Sequence, residues 1–159
     1  MPFLESMNIS ASALTATRLR MDTVAENMAN MNTTRVAGTD EPYRRRVVVF
    51  QQRTSKPQNF SALFNSARLN ASLISRSAGR LSGGGVRVVA IEEDPSDFKM
   101  DYNPTHPDAD ENGYVRMPNV DVVQEMLDMM SAYRAYEANI TALNTMKDMA
   151  VKTLELGKG

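Results

Sequence analysis

Hydrophobic positions return with two different periods along this chain of 159 residues. Near the N-terminus Met7, Leu14, Met21 and Met28 recur every seven residues, with Val24 and Met31 three places after the last two. A spacing of about 3.5 residues predicts a helix, roughly Asn8 to Met31, with one apolar seam. Toward the C-terminus the same signal is longer. Val122, Met126, Met129, Tyr133, Tyr136, Ile140, Leu143, Lys147, Ala150 and Leu154 step by alternating four and three, broken only by Lys147. Pro118-Asn119 supplies a cap, Asp121 an acidic first turn, and Lys152 precedes Gly157 at the far end. A helix from Asn119 to Leu156 is about 57 Å long, and the N-terminal helix is shorter by about a third.

A second, partial stripe follows the long helix through Val123, Leu127, Met130, Met146, Met149 and Leu156. A helix that is apolar on more than one side cannot be covered by a single intrachain neighbour. Either the middle of the chain folds over it, or other subunits do. Methionine tilts the balance toward subunits, because its flexible thioether side chain adapts to non-identical partners. Five of the 12 methionines lie in residues 1–31 and six in 117–149. The two ends of the chain are therefore chemically alike and unlike the middle.

The middle changes period. Tyr43–Phe50, Val86–Ile91 and Phe98–Tyr102 are β-branched or aromatic runs bounded by Gly, Pro and Asp, and predict three short strands. Between the first two lies a Ser- and Asn-rich segment, about 54–83, closing on Gly83-Gly84-Gly85. Within it Phe60, Leu63, Phe64, Ala67, Ala71 and Ile74 share one helical face, which predicts a short helix over 60–75. The expected fold class is mainly α with a small β region. Long terminal helices (1–34 and 118–159) would flank a small β-rich middle domain, 35–117.

Composition narrows the chemistry. With no Cys there is no disulfide, thiolate zinc site or cysteine nucleophile, and the single His106 excludes two-histidine metal motifs. No signal-peptide core follows Met1, and no run of about 18 apolar residues predicts a membrane span. Asp108-Ala109-Asp110-Glu111-Asn112-Gly113 fits the first six places of a calcium loop, but the twelfth is Asn119 where a bidentate Glu belongs. The acidic loop 101–113, with His106, Asp101, Asp108 and Asp110, is thus the alternative reading, a metal-binding interaction module. An acidic turn is the plainer account of it. Gly83-Gly84-Gly85 lacks the Lys-Ser/Thr of a phosphate loop. Arg44-Arg45-Arg46 lies in a basic middle that is better read as a solvated or subunit-facing patch than as a nucleic-acid site. No catalytic residue, cofactor or metal is expected, and the chain does not read as an enzyme.

The net charge of -1 conceals segregation: residues 35–90 carry 10 basic and 2 acidic groups, and 91–128 carry 2 basic and 11 acidic. Opposite patches of this size offer neighbouring subunits a preferred docking register.

Ser12-Ala13-Leu14, Arg18–Asp22 and Ala25–Thr34 resemble the N-terminal signature of bacterial flagellar axial proteins, the rod, hook and filament-junction subunits. Pro42–Arg45, Asp101–Ala109, Gly113–Val120 and Ser131–Asn139 are similar to the proximal-rod members of that family. The resemblance covers about 3–53 and 84–157, leaving 54–83 looking like an insertion. It implies a structural subunit of the basal-body rod whose paired terminal helices form a coiled-coil layer, polymerising with other rod proteins into a tubular drive shaft that transmits torque and conducts exported subunits. It further implies export without a cleaved signal into a rod that spans the periplasm. The implied partners are further copies, other rod subunits, and the inner-membrane ring and export apparatus at the rod base. The assembly interface would then comprise Leu14, Met21, Val24, Met28 and Met31 with Val122, Met126, Met129, Tyr133, Tyr136, Ile140, Leu143 and Leu154. Asn27, Asn30 and Asn32 close the first helix and are read as C-capping and register residues.

Overall fold

The structure, a computed structural model, describes residues 2–39, 41–54 and 83–157. The helix expected over 60–75, with nearly all of the Ser- and Asn-rich segment, lies outside the described residues. Among the described residues six elements follow one another: α1 (Pro2–Ala29), β1 (Arg46–Thr54), β2 (Gly83–Glu93), β3 (Lys99–Tyr102), β4 (Tyr114–Met117) and α2 (Val122–Leu156). Two long helices thus enclose a small strand region in sequence. Helix α1 begins at Pro2, a residue suited to the first helical position because its missing N–H would have no partner there. With 28 residues against 35 it is one fifth shorter than α2, not one third. Helix α2 starts later than Pro118-Asn119 implied. Asp121 is the cap, its Oδ1 accepting from the Val123 N–H at 3.0 Å.

The helices run antiparallel: Asn27 meets Glu125 near the end of α1, and Arg20 reaches Asp128 one turn further along α2. Strands β1 and β2 form an antiparallel ribbon, Arg46 opposite Glu93 and Gln52 opposite Val86, that packs on α1. Helix α2 packs on α1 and not on the ribbon, so α1 is the middle layer of three. A middle helix must be approached from two sides, and four of its six described buried residues are accordingly small, Ser10, Ser12, Ala16 and Thr23, the others being Val24 and Asn27. Buried hydroxyls avoid a desolvation penalty by bonding back to their own helix, as Ser12 Oγ does to Ile9 O at 2.7 Å and Thr23 Oγ1 to Leu19 O at 2.9 Å. Ser12 Oγ also accepts the Val86 N–H at 3.1 Å, pinning the ribbon to the helix. Gly85 makes that approach possible: its φ is +93°, and a Cβ there would collide with the Ser12 side chain. The last glycine of the triplet therefore serves close packing.

Strand β1 begins at Arg46 and not at Tyr43, because the backbone just before it is engaged elsewhere. The Tyr43 N–H donates to Thr33 O at 3.1 Å and the Arg45 N–H to Asn119 Oδ1 at 2.8 Å. The fourth strand, Tyr114–Met117, was not foreseen; it is four residues long and carries a charge, Arg116, at an exposed place. It pairs with β3 in register, Tyr102 opposite Tyr114, and buries Val115.

On α2 the inward residues are Val122, Glu125, Met129, Ala132, Tyr136, Asn139, Leu143, Met146 and Ala150, all buried or half-buried. They step by alternating three and four. The single apolar stripe expected from sequence shares five of them, but Met126, Tyr133, Ile140 and Leu154 turn outward. Met126, Tyr133 and Ile140 each lie one position past an inward neighbour, about 100° around the helix. The expected stripe was therefore two faces read as one.

Candidate assembly interface

Helix α2 presents Val123, Met126, Leu127, Met130 and Tyr133 on its outer side at intervals of three and four, which keeps them on one face over about three turns. Val123 is 67% exposed and Tyr133 59%. Ile140, Met149 and Leu154 continue exposed apolar surface along the helix, and Leu156 at its end is 85% exposed. From Val151 onward every residue of α2 is exposed, because the helix runs past the start of α1. Exposed apolar surface of this extent is the feature that characterises interaction sites. The N-terminal counterparts sit differently: Val24 is buried, Leu14, Met21 and Met28 are half-buried, and Met31 is exposed just beyond the helix.

Behind this face, at the end of the helix pair, lies a polar knot. Glu125 is wholly buried on α2. Its Oε1 accepts from Arg45 Nε at 2.6 Å and its Oε2 from Asn27 Nδ2 at 3.1 Å. Arg45 reaches further, to Asp94 at 3.4 Å and Asp128 at 3.3 Å, and Arg20 holds the other oxygen of Asp128 at 2.8 Å. Asn27 uses both ends of its amide. Nδ2 also donates to Arg46 O at 2.9 Å, and Oδ1 accepts from the Arg46 N–H at 2.9 Å and from the Tyr43 hydroxyl at 3.0 Å. Asn119 completes the knot, receiving the Arg45 N–H and donating to Asp94 O at 3.2 Å and Ser96 Oγ at 2.8 Å. Five stretches of chain converge here: α1, the lead into β1, the turn after β2, the entry to α2, and α2 itself.

The charges tune one another. Burial pulls the Arg45 guanidinium down, but the hydrogen bond and charge of Glu125, then those of Asp94, more than restore it, so its pKa lies above the ordinary arginine value. Hydrogen bonds from the Ser96 backbone and hydroxyl, with Arg45 beside it, hold the Asp94 carboxyl below the usual aspartate range. Burial, reinforced by Glu26, raises the Tyr43 phenol, which stays neutral and donates. A buried carboxylate in a helix seam adds little net stability when fully paired, but it admits only one pairing, and so fixes register.

Comparison with known proteins bears on this arrangement. A family model described as flagella basal body rod protein matches residues 7–35, and one described as flagellar basal body rod FlgEFG protein C-terminal matches 111–156. The flagellar basal-body rod protein FlgC of Bacillus subtilis is 49% identical over 161 residues, covering 99% of this chain and 100% of its own. Those of Borreliella burgdorferi and Salmonella typhimurium are 40% and 41% identical, with at least 99% of this chain and 100% of theirs covered. The chain belongs to the flagellar basal-body rod protein family.

In this rod-family chain the other residues singled out by sequence fall into place. Asn27 is not a cap, as expected, but part of the knot. Asn30 Nδ2 donates to Glu26 O at 2.9 Å at the end of α1, and Asn32 is exposed in the following turn. In the acidic loop, Asp108 accepts from Thr34 Oγ1 at 2.8 Å and pairs with Arg35 at 3.0 Å, so it ties the loop to the segment after α1. His106 Nδ1 accepts the Asp108 N–H at 3.1 Å. Among the described residues no three His, Asp or Glu side chains converge as a metal site requires. Nor is any helix there long and apolar enough to cross a membrane. The Arg44-Arg45-Arg46 triplet is not a common patch: Arg44 stacks over Phe98 at 4.3 Å, Arg45 enters the knot, and Arg46 pairs with Glu26 at 2.7 Å. Sequence reasoning missed Glu125, Asn119, Asp94 and Asp128. The one available signal was Glu125 itself, a charge three residues after Val122 in line with an apolar seam.

Proposed function

We propose that this protein is a structural subunit of the proximal rod of the flagellar basal body, joining other subunits through the outer face of α2. The observation that carries this reading is the run Val123, Met126, Leu127, Met130 and Tyr133, exposed on a helix whose opposite side is already packed. The expected interface residues divide accordingly. Met126, Tyr133, Ile140 and Leu154 face neighbours, while Val122, Met129, Tyr136 and Leu143 join α2 to Leu14, Met21, Val24 and Met28 of its own α1. The neighbours are other copies and other rod subunits, with the inner-membrane ring and export apparatus at the rod base. The protein acts by packing and not by catalysis, in a rod that spans the periplasm, and reaches it without a cleaved signal. Replacing Met126→Glu together with Met130→Glu tests this. The expected result is a folded chain by circular dichroism that forms no rods and supports no motility; normal motility would overturn the proposal.

A further inference from the structure

The hairpin of β3 and β4 carries exposed apolar surface that the helices do not explain. Tyr102 and Tyr114 are direct cross-strand partners, with their rings edge-to-face at 5.2 Å between centroids. Met100, two residues from Tyr102, stands on the same side, and all three are exposed although large and apolar. Two aromatics and a methionine in one solvent-facing cluster have the composition of an interface centre. Their surroundings are acidic. From residue 91 to 117 there are eight carboxylates against Lys99 and Arg116. Of these, Glu92, Glu93, Asp97, Asp101, Asp110 and Glu111 form no ion pair among the described residues.

The complementary surface is on the same chain, at the other end. Arg53 and Arg87 are exposed on the β1–β2 ribbon, and no described carboxylate pairs with either; Arg87 meets only the neutral Gln51, at 2.6 Å. That end of the ribbon is fixed beside Ser12, whereas the hairpin is anchored through Asn119 and Arg45 beside Asn27. Fifteen residues of α1 separate the two anchors, about 22 Å at 1.5 Å per residue. A single copy cannot close this distance onto itself.

We propose that a second copy of this chain docks here, the arginine-bearing ribbon of one subunit seated on the tyrosine hairpin of the next. Arginine suits both halves of the target, stacking on the tyrosine rings and pairing with the flanking carboxylates. The two surfaces differ, so the contact is heterologous and propagates from copy to copy instead of closing as a dimer. The proposal rests on the reading of the protein as a rod subunit and adds a second contact, outside the helices.

The absence of native cysteine makes a direct test clean. The full chain carrying Arg87→Cys and Glu111→Cys replaces the native subunit in motile cells, and isolated basal bodies are oxidised. A ladder of dimers, trimers and higher multiples of this chain is expected. No cross-link, or a cross-link only to a different rod protein, overturns the proposal. In a second arm, Arg53→Glu with Arg87→Glu lowers rod yield about tenfold, and adding Asp101→Arg with Glu111→Arg restores it. Normal yield from the first pair, or no restoration by the second, also overturns it. Failure here leaves the rod-subunit reading intact so long as Met126→Glu with Met130→Glu still abolishes assembly.

Discussion

Helices α1 and α2 look alike in sequence, both methionine-rich and both repeating near 3.5 residues, yet they occupy opposite situations. The first lies between α2 and the strand ribbon, buries small and hydroxylated side chains, and exposes large apolar groups mainly at Phe3, Leu4 and Ile9. The second is covered on one side only, and its exposed side is richer in large apolar residues than its packed side, which includes Glu125, Ala132 and Asn139. Hydrophobicity along a helix therefore does not measure intrachain burial. What the difference teaches is that most of the positions shut away between packed helices are small or polar with satisfied hydrogen bonds, while much of the large apolar surface of α2 stays exposed.

The strongest way to break this contrast is to place a charge on each side of α2. Met126→Glu with Ile140→Glu changes the stability of the isolated chain by no more than about 0.5 kcal/mol per site, because exposed positions tolerate charge. Met129→Glu or Leu143→Glu, facing α1, costs about 2 to 4 kcal/mol by forcing a carboxylate into the seam. Urea denaturation distinguishes the two, and equal effects would show that the faces are not distinct. The knot comes next. Glu125→Leu loses about 3 kcal/mol because Arg45 and Asn27 are left without their central acceptor, whereas Glu125→Gln keeps the shape and loses about half as much. Gly85→Ala costs about 2 kcal/mol, from the left-handed backbone and the collision with Ser12, and Ser12→Gly in the same chain recovers part of it.

The smallest effect is a pH dependence. The folded state holds the Asp94 carboxyl below its unfolded value, so its contribution is fully present above the ordinary aspartate range and is lost as pH falls through the depressed folded value. Asp94→Asn should therefore flatten the acid limb of stability below about pH 4 while leaving the slope near neutrality unchanged. An identical acid limb in variant and parent would remove Asp94 from the knot's electrostatics.

Much of this architecture was legible in the chain. The 3.5-residue repeats located both terminal helices, the β-branched runs located three of the four described strands, and the terminal motifs located the family, because these signals are local and survive without tertiary context. Tyr114–Met117 escaped because four residues with a charge among them carry too little alternation to stand out. The segregation of charge was also readable, since it needs only counting. Which charges remain open to a partner was not, because Arg45, Arg46, Asp94 and Asp108 differ from Arg87 and Glu111 only in what folding brings beside them.

The sequence by itself determined that α2 carries more apolar surface than one neighbour can cover. Only the tertiary structure decided which part of that surface is spoken for. Periodicity specifies that residues share a face to within about one position, and one position on a helix is about 100°. A buried glutamate held by Arg45 and Asn27 resolves that ambiguity. Its partners come from segments some 80 and 98 residues away in the chain, a distance that no local pattern spans.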